Sequence, residues 1–230
     1  MSDHTEQVPH GDPFGPGEFV DNPEPRCPCL LLLDSSGSMQ GEPIRELNEG
    51  IATFRRELLD DELAAKRVEV GLVTFGPVRV VSDFQSVDHF QPPKLTAGGD
   101  TPIGKAVVQG LDTLRKRKEL YRASGIAYYR PWVFLVTDGA PTDNWQPAAE
   151  AVRSGEEARA LMFFAIGVQG ANMDILRRLS LREPVKLKEL RFRDCFSWLS
   201  SSLRAMSRSR PGEQVALASP TGPQGWALAG

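Results

Sequence analysis

Two aspartates in this chain each close a short apolar run. Asp34 ends the run at residues 30–33 of LLLLDSSGSM, and Asp138 ends the run at residues 133–137 of VFLVTDG. Apolar runs of this length predict fully buried strands of a parallel sheet. The chain leaves such strands at their carboxyl ends, where open α/β sheets bind ligands. If the two strands are neighbours, their tips lie roughly 5 Å apart, and two carboxylates that close need a cation or a shared proton between them. Ser36 and Ser38 add two hydroxyls, with Gly37 between them to allow a tight turn. Carboxylates and hydroxyls form a hard, all-oxygen donor set suited to Mg²⁺ or Mn²⁺, and neither Cys nor His stands nearby to suit zinc. A plainer reading of the same residues is a strand-to-helix turn, where Asp and Ser are favoured for local hydrogen bonding alone.

Two further pieces follow in order: a glycine-rich GGDTPIG containing Thr101, and Asp138 in its TDG turn. With Asp34-x-Ser36-x-Ser38 they resemble the metal-ion-dependent adhesion site (MIDAS) of von Willebrand factor A (VWA) domains, over about residues 25–206. The wording around them, DSSGSMQGEPI and TDGAPTDNW, is most similar to the bacterial intracellular branch associated with tellurium resistance, the TerY-like proteins. The resemblance implies a single doubly wound, Rossmann-like α/β domain with a central, mostly parallel sheet and helices on both faces. It implies that Ser36 and Ser38 bind an ion directly, that Thr101 binds when the site is engaged, and that Asp34 and Asp138 hold the ion largely through water. Mg²⁺ is the expected ion, with Mn²⁺ and Ca²⁺ as alternatives. Its open position would take an acidic residue of a partner protein, and a protein phosphatase or kinase encoded alongside is the first to suspect. Two residues depart from the pattern: Asp100 intrudes between Gly99 and Thr101, and Asp143 adds a carboxylate after Asp138.

The elements that must position these residues alternate. A strand at 27–33 leads through the Asp-Ser loop to a helix with Ile44, Leu47, Ile51, Phe54 and Leu58 on one face. Residues 68–75 and 78–84 form a hairpin about Gly76-Pro77, the second run being an antiparallel edge strand. Thr101-Pro102 reads as an N-cap and first helical position. The helix it opens ends in the basic run 115–118, a solvated terminus or a docking patch for an acidic partner. Strands at 132–137, 161–168 and 185–187 follow, with helices from Pro147, over 173–179, and through Phe196, Leu199, Leu203 and Met206. Residues 1–25 read as a disordered acidic tail, 26–206 as the domain and 207–230 as a flexible tail.

The totals suit one globular domain: 230 residues, 40% hydrophobic, 25% charged, net charge −3. That balance argues against nucleic acid and anionic membranes as partners. Cys27, Cys29 and Cys195 read as reduced, buried thiols. Without a leader or a membrane-length apolar run, the expected location is cytoplasmic. The match of residues 99–105 to G-x-x-x-x-G-K fails as a phosphate loop, because Ala106 stands where Ser or Thr must hold Mg²⁺. An enzyme is disfavoured: no G-x-S-x-G elbow occurs at Ser36, and His89 is the lone histidine of the predicted core. The alternatives kept open are a scaffold with a purely structural ion and, more remotely, a metal-dependent phosphohydrolase.

Overall fold

The computed structural model describes residue 19, residues 22–222 and residues 224–230. Most of the expected amino-terminal tail therefore lies outside the described residues. The sheet has seven strands in the order β3-β2-β1-β4-β5-β6-β7, numbered along the chain as β1 Cys27–Asp34, β2 Val68–Phe75, β3 Arg79–Ser86, β4 Trp132–Thr137, β5 Met162–Gly167, β6 Val185–Leu187 and β7 Ala227–Ala229. The inner pairs are parallel, and β3 runs antiparallel to β2 as the hairpin predicts. The expected α/β architecture is the one observed.

Every residue of β1, β2 and β4 is buried, which is why these runs carry no polar alternation. The two faces of β1 serve two cores. Cys27, Cys29, Leu31 and Leu33 pack with α1 (Glu42–Leu59) and α6 (Phe192–Ser207). Leu30 and Leu32 pack with residues of α3 (Ile103–Ala123), α4 (Gln146–Glu157) and α5 (Met173–Leu179). All three cysteines are free and buried, and no helix among the described residues is long and apolar enough to cross a membrane.

Connections decide where the loops gather. From β1 the chain crosses through α1 and the short α2 (Glu62–Arg67) to β2 on one side. From β3 it crosses through α3 to β4 on the other side of β1. The order reverses between β1 and β4, so the loops leaving their tips diverge and open a crevice. Leu33 pairs with Val136, which sets the tips of these two strands side by side.

Three expectations are corrected. The helix expected to stop within the basic run 115–118 continues to Ala123. Arg117 does not face solvent: its Nε meets Glu69 Oε2 at 2.7 Å, Arg26 Nε meets Glu69 Oε1 at 2.8 Å, and Tyr121 donates to the same carboxylate. One turn inward thus binds the helix's second half to β2, while Arg115 and Lys116 remain outside on Asp112. Thr101 is not the N-cap of α3: the helix begins at Ile103 after Pro102. The carboxyl-terminal segment is not loose throughout. β7 adds a second antiparallel edge to β6, and Trp226, 5% exposed, packs on Trp198 at a ring separation of 5.7 Å. Replacing a buried aromatic by alanine costs about 3–5 kcal/mol. Urea unfolding of Trp226→Ala should therefore show about 3 kcal/mol lost with an unchanged m-value.

Candidate metal centre

The five oxygen-bearing residues expected at the site arrive from three loops. Asp34 is the last residue of β1 and is fully buried. Its Oδ1 accepts from the Ser36 backbone N–H at 2.8 Å, and its Oδ2 accepts from the Thr137 hydroxyl at 2.6 Å. The chain then makes a single 3₁₀ turn, Gly37–Met39. This turn brings Ser36 Oγ within 3.0 Å of Ser38 Oγ, and Ser38 Oγ donates to Asp138 Oδ1 at 2.6 Å. Asp34, Ser36, Ser38 and Asp138 are thus linked in one continuous polar chain across the tips of β1 and β4. Ser36 and Asp138 are buried while Ser38 is exposed, so the cluster opens on one side.

Thr101 reaches the same place through backbone bonds. Its N–H donates to Thr142 Oγ1 at 3.2 Å, and its carbonyl accepts from the Thr142 N–H at 3.0 Å. Its own Oγ1 lies 3.3 Å from where a Cβ on Gly139 would stand, the residue after Asp138. No hydrogen bond engages the Thr101 hydroxyl among the described residues.

The departures from the pattern resolve differently. Asp100 is exposed. Asp143 caps α3 from outside the helix: its two oxygens accept from the N–H groups of Gly104 at 3.0 Å and Lys105 at 2.8 Å. Those are amides that a helix leaves unpaired at its start, and a carboxylate there also meets the positive end of the helix dipole.

Close backbone contacts fix the loops beneath the cluster. Gly37 N–H donates to Gly99 O at 3.0 Å, and Gly98 N–H to Ser35 O at 2.8 Å. Gly76 has φ 111 and Gly99 φ 77, a region L side chains rarely adopt. A Cβ on Gly76 would fall 2.7 Å from both Ser36 Cα and Gly98 O. The glycines are therefore dictated by packing under the serine turn.

Electrostatically the centre is under tension. Burial raises the Asp34 carboxyl above its ordinary value, bonds from Ser36 and Thr137 oppose that rise, and the neighbouring Asp138 charge adds to it. A cation placed among these oxygens would offset both the burial of the carboxylate and its repulsion by Asp138. Among the described residues no three of His, Cys, Asp and Glu converge to form a metal site. The donors here are two carboxylates and three hydroxyls, a set that fits a hard divalent ion.

The von Willebrand factor type A domain profile matches residues 30–193, from the middle of β1 into α6. The chain belongs to this family. Solved structures that share the fold include the SpaC pilus adhesin of Lactobacillus rhamnosus GG, with 13% identity, a TM-score of 0.59, and coverage of 79% of this chain and 31% of that one. Proximal thread matrix protein 1 from the mussel byssus is 18% identical, with a TM-score of 0.53 over 78% of this chain and 48% of its own. This chain thus spans about half of the mussel protein and a third of the adhesin. No curated protein matches it by sequence. VWA domains are typically interaction modules rather than enzymes, and some depend on a metal.

Sequence reasoning missed Thr137 and the capping by Asp143. Thr137 hides as the last β-forming residue of an apolar run. In this VWA domain it holds the buried Asp34 oxygen that faces β4. Thr137→Val leaves that oxygen without its donor, and equilibrium unfolding in EDTA should show about 1–3 kcal/mol lost. Asp143→Ala should cost about 1 kcal/mol, the usual worth of a helix cap, in the same measurement.

Proposed function

We propose that this VWA domain is a divalent-cation-dependent protein-interaction module, with the ion held at the tips of β1 and β4. The single observation that carries the reading is the polar chain from Asp34 through Ser36 and Ser38 to Asp138, which opens to solvent at Ser38. Ser36 and Ser38 would hold the ion by their hydroxyls, and Asp34 and Asp138 would orient those hydroxyls and balance the charge. Thr101, whose hydroxyl is unengaged, would join them when a partner is present. When bound, the ion supplies a positive charge with a position left for an acidic side chain of another protein. The chemistry favours Mg²⁺, with Mn²⁺ and Ca²⁺ as alternatives. On this reading the centre would act as a metal-ion-dependent adhesion site.

The resemblance of DSSGSMQGEPI and TDGAPTDNW to the TerY-like branch supports a finer reading: a cytoplasmic component of a bacterial stress-response or signalling system, with an associated protein phosphatase or kinase as its partner. The residues of the centre carry no soft ligand that would bind tellurium itself.

Titration calorimetry with Mg²⁺ tests the centre. Ser38→Ala, an exposed position, should weaken Mg²⁺ by about tenfold or more, equivalent to about 1.4 kcal/mol, with the fold unchanged by circular dichroism. Equal affinity in wild type and variant would refute the assignment. Thr101→Ala should leave Mg²⁺ affinity within about twofold yet lower retention of an acidic partner at saturating Mg²⁺ by about tenfold, a loss of about 1.4 kcal/mol. Equal losses in both would rule out a hydroxyl that engages only with the partner.

A further inference from the structure

A charged concavity lies at the other end of the sheet. A cavity of about 920 Å³ opens beside the amino-terminal ends of β4 and β5, within the range of small-molecule sites. Five cations line it, Lys118, Arg122, Arg130, Arg159 and Arg182, against one carboxylate, Glu213. The wall is aromatic: Tyr128, Trp132 and Phe164. Residues 212–215 and Leu217 of the carboxyl-terminal segment close one side. The strand β4 separates this cavity from the metal centre by roughly 17 Å.

The cations are poorly neutralised. Lys118 Nζ donates to the Ala160 carbonyl at 3.1 Å, and Arg130 donates to the carbonyls of Leu161 at 2.6 Å and Glu156 at 3.0 Å. Carbonyls orient these groups but carry no formal charge. Arg182 pairs with Glu156 at 2.9 Å, while Arg122 and Arg159 meet no carboxylate among the described residues. Glu213 is turned to its own loop, accepting from the Arg210 N–H at 2.9 Å. Burial and Arg122 lower the Lys118 ammonium from its ordinary value, and burial, Arg182 and Arg159 act likewise on Arg130 against an opposing Glu156. Positive charge is gathered here faster than the protein's own acids offset it.

A further feature of the lining points the same way. Arg159 sits just past the end of α4 with φ 53, a left-handed position where glycine is the usual residue. A long cation of the cavity lining is kept in a backbone conformation that disfavours it, and such strain concentrates at functional sites.

We propose that this cavity binds a small phosphorylated anion, its phosphoryl oxygens taken by Lys118, Arg122, Arg130 and Arg159 and any planar ring lying against the aromatic wall. Guanidinium groups match phosphoryl oxygens in forked pairs, and the gathering of these four cations around one concavity suits a ligand with several phosphoryl oxygens.

Titration calorimetry of the full chain in EDTA tests this, with inorganic tripolyphosphate and ATP as probes. EDTA removes any contribution from an ion at the strand tips, and Ser38→Ala serves as control for that centre. Binding should be seen with both probes, should weaken as salt is raised, and should be unchanged in Ser38→Ala. It should fall by about tenfold or more in Lys118→Gln/Arg159→Gly, with the melting temperature of that variant kept because glycine suits the position of Arg159. Tighter binding of ATP than of tripolyphosphate assigns the ring to the aromatic wall, and equal binding assigns recognition to the phosphates alone. No binding at millimolar probe, binding indifferent to Lys118→Gln/Arg159→Gly, or loss of binding in Ser38→Ala would overturn the proposal. So would preference for an oligoglutamate peptide over both probes, since that would make the cavity a protein-docking site.

Discussion

A carboxylate without solvent governs the architecture around the strand tips. Asp34 ends the central strand fully buried, and an ionised carboxylate in that position must have its oxygens satisfied. One oxygen is satisfied by its own chain, through the Ser36 N–H, and the other by Thr137 of the neighbouring strand. The first bond forces the turn that brings Ser36 and Ser38 together. The second requires β1 and β4 to end in register, which their pairing through Leu33 and Val136 provides. The crevice exists because the strand order reverses at this pair. Topology therefore makes the opening, and the buried carboxylate arranges what faces it.

The surrounding loops behave as one platform. The serine turn is bonded to the loop of Gly98 and Gly99, that loop leads to Thr101, and Thr101 is bonded in both directions to Thr142. Asp143 then caps α3, which begins where the Thr101 loop ends. Each loop uses its backbone on another, which leaves the Ser38 hydroxyl bonded to Asp138 and the Thr101 hydroxyl beside Gly139 without a hydrogen bond among the described residues. Preorganisation of this kind would let an ion or acidic group, bound as proposed, dock without ordering the loops first.

Much of this was legible in the sequence. Apolar runs ending on aspartate identify β1 and β4 because a buried parallel strand has no polar face to show. Hydroxyls at a spacing of two identify the serine turn because chemistry and turn formation demand the same residue types. What escaped reading depends on contacts distant in sequence. Arg117 is one of four consecutive basic residues, and nothing local reveals that it turns inward to Glu69, 48 positions away. Thr137 is a good β-former whose hydroxyl matters only because Asp34 lies beside it. The last strand was hidden by its setting: Trp226 and the three residues after it make a short apolar run amid Gly and Pro, and only Trp198 and β6 give it a place to bury.

Charge is the property that whole-chain numbers conceal most thoroughly. A net value of −3 averages two opposite ends. Acidic and hydroxyl oxygens collect at the carboxyl ends of the strands, and guanidinium and ammonium groups collect at the amino ends of β4 and β5. These are formal charges and hydroxyls on side chains, so the polarity is one that the side chains carry. β4 belongs to both ends: its first residue, Trp132, lines the cationic cavity, and its last, Thr137, fixes Asp34. A strand of six residues buried on both faces has no freedom to serve one end at the expense of the other. Each end is therefore held rigid by the same packing. If the proposed ligands bind, specificity at either end would come from the side chains that project beyond the strand, where substitution would disturb ligand chemistry before it disturbed the fold.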